Sequence, residues 1–142
     1  MGNNHVGGYN RGMPDSSFRP SPPSWGQKFA HALRGFKLGI RGQSSFFVHF
    51  FVAAVVIVAG FVLQVERWEW SVLLLCITVV LAAEMFNSSL EHFGRAVEGS
   101  FNPELGRALD IAAAAVLVTS IGAVIIGAIV FLPRLGPMLG WW

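Results

Sequence analysis

Charged side chains are scarce in this sequence. They make up 13% of its 142 residues, whereas an ordinary soluble domain carries about 25%. Hydrophobic residues make up 54% of the chain, and the mean hydropathy is +0.57. A chain so poor in charge and so rich in apolar residues is typical of a protein embedded in a bilayer, and its length predicts one domain.

Cysteine and the common motifs of soluble enzymes are also scarce or absent. Cys76 is the only cysteine of the sequence, which excludes an intrachain disulfide. The sequence has no GxxxxGK[ST] phosphate loop, no HExxH zinc motif and no CxxC pair. We also expect no nucleic-acid partner, because the aromatic side chains belong mostly to apolar runs and not to a basic face of a soluble module.

The N-terminal region divides into a tail and an amphipathic segment. Residues 1–25 are rich in Gly, Pro and Ser, which predicts a disordered tail. Residues 26–42 carry apolar side chains at spacings of four, three and four, with basic side chains elsewhere around the helix. These apolar residues are Phe29, Leu33, Phe36 and Ile40. The pattern predicts a surface helix that lies in the membrane interface.

The first long apolar segment covers residues 46–65 and is long enough to span a bilayer. A helix of this length rises ~30 Å, which matches the hydrocarbon layer. His49 and Gln64 are its only strongly polar side chains. We interpret His49 as a locally satisfied interfacial histidine and not as a ligand.

Two further apolar segments complete the predicted domain. The predicted elements are a surface helix over 26–42, spans over about 46–65, 69–93 and 108–132, and a short C-terminal tail over 136–142. Pro133 and Pro137 are predicted to end the third span. The sequence thus predicts an all-α membrane protein, in which an N-terminal amphipathic surface helix and three transmembrane helices form one domain over residues 26–135.

The basic side chains favour one orientation in the membrane. Six of them lie near the N-terminal side or in the predicted loop over 94–107: Lys28, Arg34, Lys37, Arg41, Arg95 and Arg107. The opposite side has Arg67 and Arg134. Basic residues near span ends favour the cytoplasm. We therefore expect the N-terminus and residues 84–110 to face the cytoplasm.

A polar stripe interrupts the end of the second span. Its members stand at i, i+3, i+4 and i+7 on one helix face: Glu84, Asn87, Ser88 and Glu91. A carboxylate at membrane depth is costly and indicates function by default. Two carboxylates on one face suit Mg²⁺, which prefers oxygen ligands. Asp110 could approach the stripe from the third span, and Arg107, one turn earlier, suits phosphate oxygens.

The stripe and the layout resemble the small prokaryotic diacylglycerol kinase and undecaprenol kinase family, over about residues 28–133. The signature of that family, Glu-x-x-Asn-[Ser/Thr]-x-[Ile/Leu]-Glu on the second span, is similar to residues 84–91, EMFNSSLE. Its third span opens with a Lys-Asp pair before small residues, and this sequence reads GRALDIAAAAVL. The resemblance implies a homotrimeric enzyme of the cell membrane that uses ATP and Mg²⁺ to phosphorylate a lipid alcohol, either diacylglycerol or undecaprenol.

The resemblance also implies roles for individual residues. Glu84 would be the general base that takes the proton of the lipid hydroxyl. The implied metal ligands are Glu91 and Gln43. The predicted nucleotide-binding residues are Asn87, Asp110, His31 and Arg107, and the predicted substrate-binding residues are Ser45 and Ser88.

Three positions depart from the family pattern. Gln43 and Arg95 stand where the family has or often has an acid, and Leu109 stands where it has a lysine. These changes leave open a second hypothesis, a non-catalytic family member that acts as a membrane binding or structural protein. A third hypothesis is a small ion or proton transporter that uses Glu84 and Glu91. Such carriers usually keep their acids near the bilayer midplane, whereas these acids lie toward one face.

Overall fold

The computed structural model describes residues 22–41, 44–97, 102–138 and 140. Over these ranges the chain forms four helices and no strand: α1 (Trp25–Ile40), α2 (Ser44–Val62), α3 (Arg67–Val97) and α4 (Pro103–Met138). Helices α2, α3 and α4 are long and apolar enough to cross a membrane. The predicted all-α class is therefore confirmed. Most of the predicted N-terminal tail and the predicted metal ligand Gln43 lie outside the described residues.

Helix α1 begins with a capping box and touches α3 near its C-terminal end. The Ser24 Oγ accepts a hydrogen bond from the Gln27 backbone N–H, and the Gln27 side chain accepts one from the Ser24 N–H. Gly39 lies so close to Met85 that a Cβ there would stand 2.8 Å from its sulfur. The glycine lets α1 reach α3 beside the polar stripe. The apolar side chains left exposed on α1 include Trp25, Phe29, Leu33 and Phe36, as expected for a helix in the membrane interface.

A tight hairpin joins α2 to α3. The Val65 N–H donates to the Gly60 carbonyl at 3.1 Å, and Gln64 takes a left-handed conformation with φ of 52°. The Trp70 ring packs on Gly60, where an added Cβ would lie 2.7 Å from the ring. The first span therefore ends at Val62, before the predicted residue 65, because the hairpin closes on the glycine.

Helices α3 and α4 share the most extensive contact of the described fold, and an ion pair links the start of α3 to the end of α4. Arg134 donates from Nη1 to the Glu69 Oε1 at 2.9 Å and from Nη2 to the Glu69 Oε2 at 2.7 Å. Glu69 is only 5% exposed. This bidentate geometry is the strong form of an arginine–carboxylate pair. It joins α3 and α4 at the end of the helices that lies away from Glu84.

Helix α4 continues through the two prolines that were predicted to end it. It ends at Met138, so the first residues of the predicted C-terminal tail are helical. A proline removes one backbone donor, but its φ is compatible with a helix. Arg134 lies between Pro133 and Pro137 and is fixed to α3 by its ion pair. This tertiary contact offsets the missing backbone hydrogen bonds.

Candidate active site

Glu84 is the most deeply buried acid among the described residues, with 2% of its surface exposed. Two side chains from the first turns of α2 face its two carboxylate oxygens. The Ser45 hydroxyl donates a hydrogen bond to the Glu84 Oε1. The His49 Nε2 lies 3.9 Å from the Glu84 Oε2, which is too long for a direct hydrogen bond. The carboxylate is thus held on one oxygen, and its other oxygen faces an imidazole across a gap.

The polar stripe predicted on α3 is present, and its two acids differ in exposure. Glu84 and Ser88 are buried, whereas Asn87 and Glu91 are half-buried. The Glu91 side chain is 32% exposed, against 3% for the Glu84 side chain. The two acids therefore occupy different environments. One is shielded among helices, and the other is reachable by water-soluble ligands.

Ser88 lies one turn beyond Glu84 on α3. Its side chain is fully buried, and its Oγ has no hydrogen-bond partner within the part of the chain that is described. A buried polar group without a partner costs about 1–3 kcal/mol. A bound ligand that reached this hydroxyl would remove that cost.

Glu91 contacts a neighbour on each side along α3. The Asn87 Nδ2 donates to the Glu91 Oε1 at 3.1 Å, and the Arg95 Nη1 lies 3.8 Å from the Glu91 Oε2. Both members of the Glu91–Arg95 pair are partly exposed, so the pair contributes no more than about 1 kcal/mol. Arg95, which replaces an acid common in the family, is therefore paired with the predicted metal ligand and is easily displaced from it.

The oxygen atoms of Glu91 and Asn87 fit a magnesium ion that arrives with a nucleotide. Among the described residues, no three acidic, histidine or cysteine side chains converge to form an all-protein metal cage. Mg²⁺ rarely uses such a cage, because it usually keeps several waters and is held by one or two carboxylates together with substrate phosphates. The accessible carboxylate of Glu91, with the Asn87 amide one turn earlier on the same face, is compatible with that mode of binding.

The other predicted nucleotide-binding residues lie on exposed surfaces. His31 is exposed on α1, and Arg107 and Asp110 are exposed near the start of α4. Arg107 pairs with Glu104 on the preceding turn. In the described ranges no hydrogen bond or ion pair links any of these three predicted residues to Glu84. None of the three therefore contacts the buried acid directly within the described residues.

Leu109, at the position of the family lysine, serves helix packing. Leu105 and Leu109 of α4 lie over the buried Gly94 of α3. An apolar side chain at this position covers the glycine, where a lysine would carry a charge. The basic group lost at residue 109 must come from elsewhere if the site needs one.

A cavity of about 430 Å³ lies between α2, α3 and α4, next to Glu84. Its walls are almost entirely apolar, and its polar side chains are His49, Cys76 and Ser120. The helices run antiparallel, so His49, Leu81 and Ser120 mark the end of the cavity nearest to Glu84. The cavity runs along the membrane-spanning part of the helices, and its end is lined by His49, the side chain that faces the Glu84 carboxylate.

His49 is the residue of this site that sequence reasoning missed. It was interpreted as an interfacial histidine, because only its own segment was considered. Ser45 and His49 are four residues apart and share one face of α2. That spacing was visible in the sequence, but nothing in the sequence placed Glu84 opposite this face.

Comparisons with known proteins show the family of this chain. Residues 30–131 match the family model described as prokaryotic diacylglycerol kinase. An undecaprenol kinase of Bacillus subtilis is 32% identical over 109 residues, which cover 77% of this chain and 89% of the relative. A diacylglycerol kinase of a Synechocystis species is 35% identical over 108 residues, which cover 75% of this chain and 62% of the relative. No solved structure gives a significant match.

The resemblance drawn from residues 84–91 is confirmed by the family match, which covers most of the chain. Both relatives are named as lipid kinases. The helices that the family domain requires are present, and the signature residues form one stripe on α3. This chain belongs to the prokaryotic diacylglycerol kinase family of membrane lipid kinases.

Proposed function

We propose that this chain transfers the γ-phosphoryl group of ATP to the primary hydroxyl of a lipid alcohol, diacylglycerol or undecaprenol. One observation carries the proposal: the buried carboxylate of Glu84 lies 3.9 Å from the His49 Nε2, and His49 lines one end of an apolar cavity between the membrane-spanning helices. A lipid alcohol has a long apolar chain and a single reactive hydroxyl. The apolar cavity can hold the hydrocarbon of the lipid, and the carboxylate can accept the proton of its hydroxyl. The names of the two relatives support this class of substrate.

In the proposed reaction, the lipid hydroxyl lies beside the Glu84 Oε2. Its proton passes to that oxygen while the hydroxyl oxygen forms a bond to the γ-phosphorus, and the bond from the γ-phosphorus to the bridging oxygen of the β-phosphate breaks to leave ADP. Ser45 already donates to Oε1, which leaves Oε2 to accept the proton. Ser45 therefore acts by orienting Glu84 at the lipid end of the site, and Ser88 offers a second hydroxyl there.

Glu91 and Asn87 would hold the Mg²⁺ that accompanies the nucleotide, with Gln43 as a further predicted ligand. When bound, the ion neutralises phosphate charge, and neutralisation together with positioning supplies most of phosphoryl-transfer catalysis. The greater exposure of Glu91 than of Glu84 supports this division of roles. Arg95 is released from Glu91 in this scheme and can contact phosphate oxygens, which supplies the positive charge that Leu109 lacks.

A homotrimer with shared sites is the assembly we propose. His31, Arg107 and Asp110 are exposed and unconnected to Glu84 within one chain's described residues, so a neighbouring subunit could bring them to the site. In the most apolar stretch of each helix, only 11% of α2 and 6% of α4 is buried. The rest of these two helices is available for contacts between subunits. Native mass spectrometry in detergent would give the subunit number. Mixing inactive Glu84→Gln and Asp110→Asn chains should restore some activity if sites are shared, and no recovery would contradict sharing.

The proposed orientation puts the N-terminus and residues 84–110 on the cytoplasmic side of the membrane, where ATP is available. The excess of basic residues near that side supports it. Protease access to an N-terminal tag in right-side-out and inverted vesicles would test it, since only inverted vesicles should lose the tag.

A lipid-kinase assay tests the proposed function. Purified protein in mixed micelles is supplied with γ-labelled ATP, Mg²⁺ and either undecaprenol or diacylglycerol. We expect label in at least one lipid, and the two lipids tested separately identify the substrate. Absence of labelled lipid from folded protein would favour the non-catalytic alternative, to which Gln43, Leu109 and Arg95 point. The Gln43→Glu variant then shows whether the missing acid accounts for the loss.

A further inference from the structure

His49 faces Glu84 from α2 but does not touch it. We infer that His49 binds the hydroxyl oxygen of the lipid alcohol and orients that hydroxyl toward Glu84. This inference rests on the proposed function and assigns a lipid contact that the signature stretch on α3 does not contain. It depends on the distance between the two side chains, on the way Glu84 is already held, and on the position of His49 in the cavity wall.

The distance fits one bridging oxygen. The His49 Nε2 and the Glu84 Oε2 are 3.9 Å apart, beyond the range of a direct hydrogen bond. An oxygen atom placed to one side of the line between them lies about 2.8 Å from both, with an angle near 90° between the two contacts. An alcohol in that place donates its proton to the Glu84 Oε2 and accepts a hydrogen bond from the His49 Nε2–H. A lone pair of the oxygen remains for the phosphorus.

Glu84 does not need His49 to fix its position. The Ser45 hydroxyl donates to the Glu84 Oε1 from the same helix α2, one turn earlier. The imidazole therefore faces an oxygen whose carboxylate is already oriented. Within the described ranges, Glu84 is the acid that the His49 Nε2 faces, at 3.9 Å. Because His49 faces the proposed base and is not needed to hold it in place, its imidazole is available to contact the substrate.

The position of His49 matches the place where a lipid alcohol changes from polar to apolar. Its side chain is 19% exposed and lines the end of the apolar cavity nearest to Glu84. An alcohol bound between His49 and Glu84 would extend its hydrocarbon directly into that cavity. One side chain therefore borders both the reacting hydroxyl and the apolar channel.

Two substitutions at His49 test the inference. His49→Leu keeps comparable bulk and removes the donor, and we expect kcat/KM for the lipid alcohol to fall by about 10- to 100-fold. We expect the KM for ATP to stay unchanged, because His49 lies on the lipid side of Glu84. His49→Gln keeps an N–H donor of similar reach and should recover most of the loss. A purely structural role for His49 would not separate the two substrates in this way.

His92→Leu is the matched control, because it makes the same chemical change at an exposed position of α3 and should leave both KM values as in the wild type. The inference is overturned if His49→Leu matches the wild type, if Leu and Gln lose activity equally, or if the KM for ATP rises as much as that for the lipid. If His49→Leu does not fold, added imidazole should restore turnover to His49→Ala, and failure to do so would overturn the inference as well. A wild type that labels neither lipid refutes the proposed function itself, whereas an active wild type with an unaffected His49→Leu refutes only the role of His49.

Discussion

The Glu84→Gln substitution removes the proposed proton acceptor and changes little else. Glutamine has the same length, and its side-chain oxygen can still accept the Ser45 hydroxyl that now bonds the Glu84 Oε1. A positioned general base is worth about 10²- to 10⁴-fold in rate, or about 2.7–5.4 kcal/mol at 1.36 kcal/mol for each factor of ten. Glu84 is only 2% exposed, so water cannot readily replace it as the proton acceptor. We therefore expect a loss near the upper end of that range.

The measurement is kcat and both KM values in the micelle assay, with thermal unfolding followed on the same preparations. We expect kcat to fall with little change in either KM and no drop in Tm, since the variant keeps its hydrogen bond and removes a buried charge. Wild-type kcat in Glu84→Gln would show that another group accepts the proton.

Glu91→Gln is the comparison that separates the two acids. Glu91 is accessible and is proposed to hold the metal ion, so its loss should raise the Mg²⁺ concentration needed for half-maximal activity. Excess Mg²⁺ should recover activity in Glu91→Gln and leave Glu84→Gln inactive. An identical response of the two variants to Mg²⁺ would contradict the division of roles.

Three further predictions concern packing and buried polar groups. Arg134→Met leaves the buried Glu69 carboxylate without its partner and should lower the free energy of unfolding by about 3–5 kcal/mol, measured by denaturant titration in detergent. Adding Glu69→Met should recover most of that loss. Equal stability of the wild type and Arg134→Met would refute the pairing. Gly60→Ala places a methyl group against the Trp70 indole ring and should lower the free energy of unfolding by about 1–3 kcal/mol. Gly122→Ala places its methyl group in open space and should leave the stability unchanged. Equal Tm values for the two variants would contradict the close packing at Gly60. Ser88→Ala removes a buried hydroxyl that has no partner in the described part of the chain, so its Tm should not fall while its KM for the lipid rises; a lower Tm with unchanged KM would show a structural role.

The helices were predictable because their signals are local. A run of apolar residues fixes whether a helix can span a bilayer, and the spacing at residues 84–91 puts the polar side chains on one face whatever the helix packs against. The ends were less predictable. The first span ends early because the hairpin packs the Trp70 ring on Gly60. Helix α4 continues through two prolines because the ion pair with Glu69 holds Arg134 in place.

The sequence by itself determined the membrane class, the number of spans and the stripe from Glu84 to Glu91, because hydropathy and helical periodicity depend on neighbours along the chain. Only the tertiary structure decided what the stripe faces. The rotation and register of α2 against α3 place Ser45 and His49 on the two oxygens of Glu84, 39 residues away from Ser45. No local pattern encodes that register, because it follows from how three apolar surfaces fit together, and that fit also leaves the cavity that His49 lines.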